Sequence, residues 1–272
     1  VLSPGNKALA VVSGKFGERW TELCASFGIE AIPLCVENGK AVNPGDIEAA
    51  LKKTPGITAV FTTQCETSTG VVHDIKSISP LVKKYGALMI VDSITGIGVH
   101  QFLMDEWNID VAITGSQKGC MMPPGLAFVC VNSSAWGVIE KADLPRYYWD
   151  FRKMRKDLKD KATPFTPAVS LVMAMKTAMD MVKKEGLENV WKRHARLAHA
   201  TREGAKALGL ELFAGEYASN VLTAIKAPKG IDVDKIIKKL RDETGVTFTG
   251  GQDELKGMIV RIGHMGYVND FD

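Results

Sequence analysis

The sequence has no apolar run long enough to span a bilayer, which excludes a membrane-spanning helix as its organising element. Cysteine is sparse. Cys24, Cys35, Cys65, Cys120 and Cys130 are odd in number and show no CxxC spacing, so neither a disulfide framework nor a thiolate metal site is supported. Free thiols buried in apolar strands, kept reduced in a cytoplasm, are the expectation. The five histidines do not cluster at ligand spacing, so no metal is expected. Charge is nearly balanced at +3, and the lysines are scattered along helical faces, which argues against nucleic acid as partner. No GxGxxG follows the first strand. Ser13-Gly14-Lys15-Phe16-Gly17 has two glycines at another spacing, which disfavours a nucleotide-binding Rossmann domain. Repeats, low-complexity tracts, an initiating Met and a targeting segment are also absent. Val1–Gly5 reads as a loop entering a strand and Asn269–Asp272 as a helix start, so the text reads as a fragment or as a chain whose ends lie outside it.

What is present is a globular composition, 46% hydrophobic and 24% charged over 272 residues, enough for a large core and a smaller companion. Short β-branched runs at Ala8–Val12, Ala31–Val36, Ile57–Thr62, Ala87–Val91, Val111–Thr114 and Leu126–Val131 alternate with helical periods such as Phe16–Phe27, Pro44–Lys53 and Asp74–Tyr85. Such continuously apolar strands imply a mainly parallel sheet covered on both faces. Arg146–Lys161 is polar and aromatic. Thr163–Pro167 then breaks the chain before two long helices, Ala168–Lys184 and Leu187–Leu208, and Gly209 is a helix stop. Strand Asn220–Ala227, helix Asp232–Thr244 and strands Val246–Thr249 and Met258–Gly263 complete an α+β unit. The expected division is a large domain over residues 1–185 and a small one over 186–272.

In an open α/β sheet the ligand lies beyond the C-terminal ends of the strands. Asp92 ends one such run, and Lys118 follows the next in Thr114-Gly115-Ser116-Gln117-Lys118-Gly119. Taken singly, the first is a turn cap and the second a surface lysine. Together they fit the chemistry of pyridoxal 5′-phosphate (PLP). That cofactor needs a lysine amine to hold its aldehyde as a Schiff base and an acid beside its pyridine nitrogen. Gly115, Ser116 and Gly119 are small enough to allow close approach to the lysine. Arg261 stands in the apolar strand Met258–Gly263, where a guanidinium needs a partner. A substrate carboxylate and a structural Asp or Glu both qualify.

Val91-Asp92-Ser93, Gly115-Ser116-Gln117-Lys118 and Pro123-Pro124-Gly125-Leu126, in this order, resemble the class V aminotransferases of PLP fold type I. The likeness is strongest to the alanine–glyoxylate and serine–pyruvate (serine–glyoxylate) group and extends over nearly the whole chain. It implies that Lys118 is the Schiff-base lysine and proton-moving base, and that Asp92 pairs with the pyridine nitrogen. Phe16 would stack on the cofactor ring, Thr67 would lie near its phenolic oxygen and Gln117 near its phosphate. Thr166 would reach the phosphate of a neighbouring subunit in a homodimer, and Arg261 would hold the substrate carboxylate. Phe165 stands where related sequences often carry Tyr and supplies no hydroxyl. The family's glycine-rich phosphate loop has no counterpart in this text and would lie before Val1. The residues themselves leave plainer roles open: a core phenylalanine for Phe16, loop chemistry for Thr67, packing for His264.

The implied activity is cytoplasmic transfer of an amino group from a small amino acid (alanine, serine or aspartate) to glyoxylate or a 2-oxo acid. Two alternatives stand beside it. A PLP-dependent lyase such as a cysteine desulfurase would need a mobile-loop cysteine and usually a His before the lysine, where this chain has Gln117. A non-catalytic fragment of the fold is the other.

Overall fold

The computed structural model describes Val1–Asp272. The six apolar runs of the first half become strands and the helical periods between them helices, with one recurring device at the joints. Asn43, Asp74, Asn132, Asp150 and Asp232 each cap a helix by accepting a backbone N–H of its first turn.

The chain runs β1 (Lys7–Val12), α1 (Lys15–Ser26), β2 (Glu30–Cys35), α2 (Pro44–Lys53) and β3 (Ile57–Thr63). A small hairpin of β4 (Cys65–Glu66) and β5 (Val71–Val72) follows, then α3 (Ile75–Lys84), β6 (Leu88–Asp92), β7 (Val111–Gly115), β8 (Ala127–Val131) and α4 (Ser133–Ile139). Six strands form one sheet in the order β2-β1-β3-β6-β7-β8. All pairings are parallel except β7 with β8, which is antiparallel. Alternation along the central strands sorts the core into two layers. Leu9, Val11, Val60 and Met89 pack with Ile47, Leu51, Ile78 and Val82 of α2 and α3. Ala8, Ala10, Phe61 and Ile90 face the opposite side with Cys24 of α1 and Ala135 of α4.

The remainder comprises α5 (Phe151–Lys159), α6 (Val169–Glu185), α7 (Leu187–Ala207), β9 (Leu222–Lys226), α8 (Val233–Thr244), β10 (Thr249–Gly250) and β11 (Ile259–Gly263). β10, β11 and β9 make a second, antiparallel sheet, against which α7 and α8 pack. No helix is long and apolar enough to cross a membrane.

Four expectations need adjustment. The strand placed at Val246–Thr249 forms only at Thr249–Gly250, because the half-exposed Val246 has no core to enter. The polar stretch after Arg146 contains α5, whose apolar residues Phe151, Met154 and Leu158 recur at i, i+3 and i+7 among charged neighbours, although none of its residues is buried. Asn269–Asp272 closes as a turn, with Asp272 accepting the Asn269 N–H. All five cysteines are free, but only Cys24, Cys65 and Cys120 are buried; Cys35 and Cys130 lie on the outermost strands β2 and β8 and are exposed.

Candidate active site

The order β2-β1-β3 places a topological switch point at β1: the connections out of β1 and β3 leave in opposite directions. Beyond the C-terminal ends of β1, β3, β6 and β7 opens a cavity of about 430 Å³. Phe16 enters it from the first turn of α1, Thr63 from the end of β3, Thr67 from the turn after β4, and Asp92 from the end of β6. Gln117 and Lys118 enter from the loop after β7. Five of the seven site residues named from the sequence therefore share one cavity.

Asp92 is 9% exposed. Its Oδ1 accepts the Ile94 N–H at 2.9 Å, so the plain turn role is real, yet no cation forms an ion pair with it. Burial pushes its carboxyl up to about 6, the Ile94 hydrogen bond opposes this, the Glu66 charge adds to the rise and the Arg19 charge, not in ion-pair contact, offsets a little of it. Such an acid is poised to ionise against a cationic N–H placed beside it. The Thr63 hydroxyl and the Trp20 indole N–H, both on side chains lining the cavity, are buried without partners. A lysine amine, an uncompensated acid, an aromatic face and orphaned polar atoms fit the ring, nitrogen and aldehyde of PLP. The fit comes from the residues, whatever the cavity holds.

The loops that follow the acid and carry the lysine meet through backbone. After Asp92 the chain turns through Gly98 (φ +84°), and a Cβ there would come within 2.8 Å of the Gly119 carbonyl oxygen. A Cβ on Gly119 would in turn overlap the Ile97 carbonyl. Only glycine at both positions lets the two loops interlock.

Two named residues stand outside the cavity. Arg261 on β11 donates from Nε to the Gly250 carbonyl and from Nη1 to the Thr67 carbonyl, each at 2.8 Å. It is thus tied to the cavity wall through Thr67 rather than paired with an Asp or Glu. Burial draws its guanidinium below the ordinary range and the Glu66 charge partly offsets this. Thr166 is exposed, in a segment where Phe165 stacks on Tyr148 with ring centroids 4.3 Å apart. His264 bridges the Thr223 hydroxyl and the Asn220 carbonyl, a packing role.

Sequence reading missed several wall residues. Arg19, one turn beyond Phe16, lies over its ring at 4.8 Å, and Trp20 stacks on Phe61. An aromatic followed at i+3 by arginine on a helix start was the available signal. Cys65 also lines the cavity, but burial pushes its thiol up to about 12, which keeps it from acting as a nucleophile. Ser13 and His73 form a buried pair at 2.7 Å that resembles a nucleophile–base dyad. It is not one: His73 Nδ1 accepts the Val42 N–H, which leaves Nε2 as the protonated nitrogen and donor to Ser13.

The profile of the family described as Aminotransferase class-V matches residues 2–267. The "Soluble hydrogenase, small subunit" of a Synechococcus strain is 45% identical over 276 residues, an alignment covering 100% of this chain and 71% of that protein. The L-aspartate–glyoxylate aminotransferase of Paracoccus denitrificans is 37% identical, covering 99% of this chain and 69% of that protein. Among solved structures, pyridoxamine–pyruvate aminotransferase from Mesorhizobium loti superimposes with a TM-score of 0.93 at 32% identity, over 97% of this chain and 69% of that one.

Proposed function

This chain belongs to the class-V aminotransferase family, and from that premise we propose that it transfers the amino group of a small amino acid to glyoxylate or another 2-oxo acid. The observation that carries the reading is the single cavity joining Lys118, Asp92, Phe16, Thr67 and Gln117 at the switch point of the sheet.

PLP, when bound, supplies an electron sink that makes the substrate Cα–H acidic. The protein supplies the rest. Lys118 would hold the cofactor through its aldehyde, and its free amine would serve as the base that moves the substrate's Cα proton. Asp92 would hold a proton on the pyridine nitrogen, and a cation there would offset the burial that raises its own pKa. Phe16 would offer the ring face, Thr67 a hydroxyl to the phenolic oxygen and Gln117 an amide to the phosphate. Arg261, held at the Thr67 carbonyl, forks onto the substrate carboxylate.

The donor is alanine, serine or aspartate. The working unit is a cytoplasmic homodimer in which Thr166 reaches the neighbouring cofactor's phosphate. Its support is that Phe165, next to Thr166, packs with Tyr147 and Tyr148, and that Tyr147 and Trp149 are 73% and 72% exposed, apolar area that a second subunit would cover. The two units fall at residues 1–185 and 186–272, around the sheet of six strands and the sheet of three. A desulfurase reading finds less: the cavity cysteine, Cys65, is held as a thiol, and Gln117 precedes the lysine.

The test is a visible absorption spectrum of the chain with added PLP, beside a Lys118→Ala variant. A yellow band in the parent alone, bleached by alanine, serine or aspartate and restored by glyoxylate, is the expected result. No band at excess PLP would sink the reading.

A further inference from the structure

Glu66 has no accessible surface, yet every group hydrogen bonded to its carboxylate is an uncharged donor. Its Oε2 accepts the backbone N–H groups of Phe16 and Gly17 at 3.0 and 2.9 Å. Its Oε1 accepts the N–H and the hydroxyl of Ser68 at 3.0 and 2.5 Å. The Ser68 oxygen in turn accepts the Lys15 N–H at 3.0 Å. The first three amides of α1, which no helix can satisfy internally, are therefore all taken up by one turn of chain about fifty residues away. A negative charge at that end also complements the helix dipole. Carboxylate is the group this arrangement requires, because both oxygens must accept at once.

The helix side is shaped for the same contact. A Cβ on Gly14 would overlap Ser68 Oγ and come within 2.7 Å of Glu66 Cγ, and a Cβ on Gly17 would overlap the Val11 carbonyl oxygen. This accounts for the two glycines of Ser13–Gly17. They admit an internal carboxylate to a helix start, where a nucleotide-binding loop would admit a phosphate. The turn has a second attachment, since the Thr67 carbonyl, next to Glu66, accepts from Arg261. Phe16, Thr67 and Arg261 thus hang from one buried anchor.

We propose that Glu66 is a positioning residue of the transamination site: it seats the N-terminus of α1 so that the Phe16 ring is registered against Thr67 and Arg261, without itself touching cofactor or substrate. The proposal rests on the reading of the cavity as a PLP site. Glu66→Gln keeps the shape but turns an NH2 group toward donors. Gly14→Ala disturbs the same seat from the helix side with Glu66 intact. Asp110→Asn, at the other end of the sheet, serves as a stability control.

Three quantities are measured on the full chain. They are the PLP dissociation constant from the visible band, the circular dichroism of that band per bound PLP, and hydrogen exchange of amides 15–17 without cofactor. Glu66→Gln and Gly14→Ala should each raise the dissociation constant about tenfold or more, halve the dichroism or worse, and speed exchange at the three amides. Asp110→Asn should lower the melting temperature and move none of these. If the parent shows the band and both seat variants match it in affinity and dichroism, the proposal is overturned and the cofactor reading stands. If the parent shows no band, both fall together. Should Glu66→Gln fail to fold, Gly14→Ala decides.

Discussion

Two buried aspartates sit at opposite ends of the same sheet and are treated in opposite ways. Asp110 precedes β7 at the N-terminal end and is fully enclosed. It accepts Lys83 Nζ at 2.6 and 2.7 Å, the Met89 N–H at 2.7 Å and the Asn132 amide at 2.9 Å. Asp92 ends β6 at the C-terminal end, accepts one backbone N–H and faces a cavity. The first carboxylate is neutralised within the fold and holds two strands together. The second is left short of a counter-charge, and that shortage is what a cationic ligand group can relieve. The end of the sheet that is incomplete by itself is the end with chemistry.

Mutations at the two ends should separate along this line. The largest effect belongs to Lys118→Ala, which should abolish the visible band and cut amino transfer by roughly a thousandfold or more, as loss of a covalent nucleophile does. Its urea midpoint should stay at the parent value. Asp92→Asn should slow transfer about a hundredfold while the cofactor-free chain becomes no less stable, because an uncompensated buried charge is removed. Asp110→Asn should do the reverse, costing about 3 kcal/mol in urea denaturation by leaving the Lys83 charge without its partner. If Asp92→Asn and Asp110→Asn lose stability equally, the contrast is wrong.

A smaller effect appears in the pH dependence of the cofactor-free chain. Asp92, raised to about 6, binds a proton more tightly folded than unfolded, so its contribution to stability falls as pH rises from about 4 to 6. His73, His100 and His264 are each lowered to about 4, chiefly by burial, so they bind protons more tightly when unfolded. Their contribution is present near neutrality and is lost as pH falls through 6.5 toward 4. Three groups outweigh one. Acid should therefore destabilise the chain in that window, and Asp92→Asn should steepen the loss by about one proton. An unchanged slope in titrated urea melts would remove Asp92 from this account. The smallest effect is in thiol labelling: Cys35 and Cys130 should react fast and Cys24, Cys65 and Cys120 slowly, with added PLP slowing Cys65 further.

Much of this was legible beforehand where a local rule applied. Strands β1 and β6 are apolar at nearly every position, and β3 is apolar and threonine, because both faces are covered, and that pattern places Asp92 at a strand end and Lys118 just past one. The rest depends on distance in sequence. Glu66 carries no signal of its own in the sequence, since its partners are backbone amides whose positions the sequence does not reveal. The hairpin of β4 and β5 is too short to carry a period. α5 was readable from Phe151, Met154 and Leu158 at i, i+3 and i+7 but is masked by the charges between them, and Arg19 and Trp20 join the site only once α1 is laid across the strand ends.

The interlock of Gly98 with the loop at Gly119 has an evolutionary corollary. Because main chain meets main chain there, the loop after Asp92 and the loop carrying Lys118 approach each other at a point where no side chain can intervene. Wall positions such as Arg19, Ile94, Thr95 and Ile113 are then free to drift and to retune which donor is accepted, while the two loops keep their contact. A lineage can change its substrate by ordinary point substitution without rebuilding its chemistry, and a laboratory library confined to those positions inherits the same freedom.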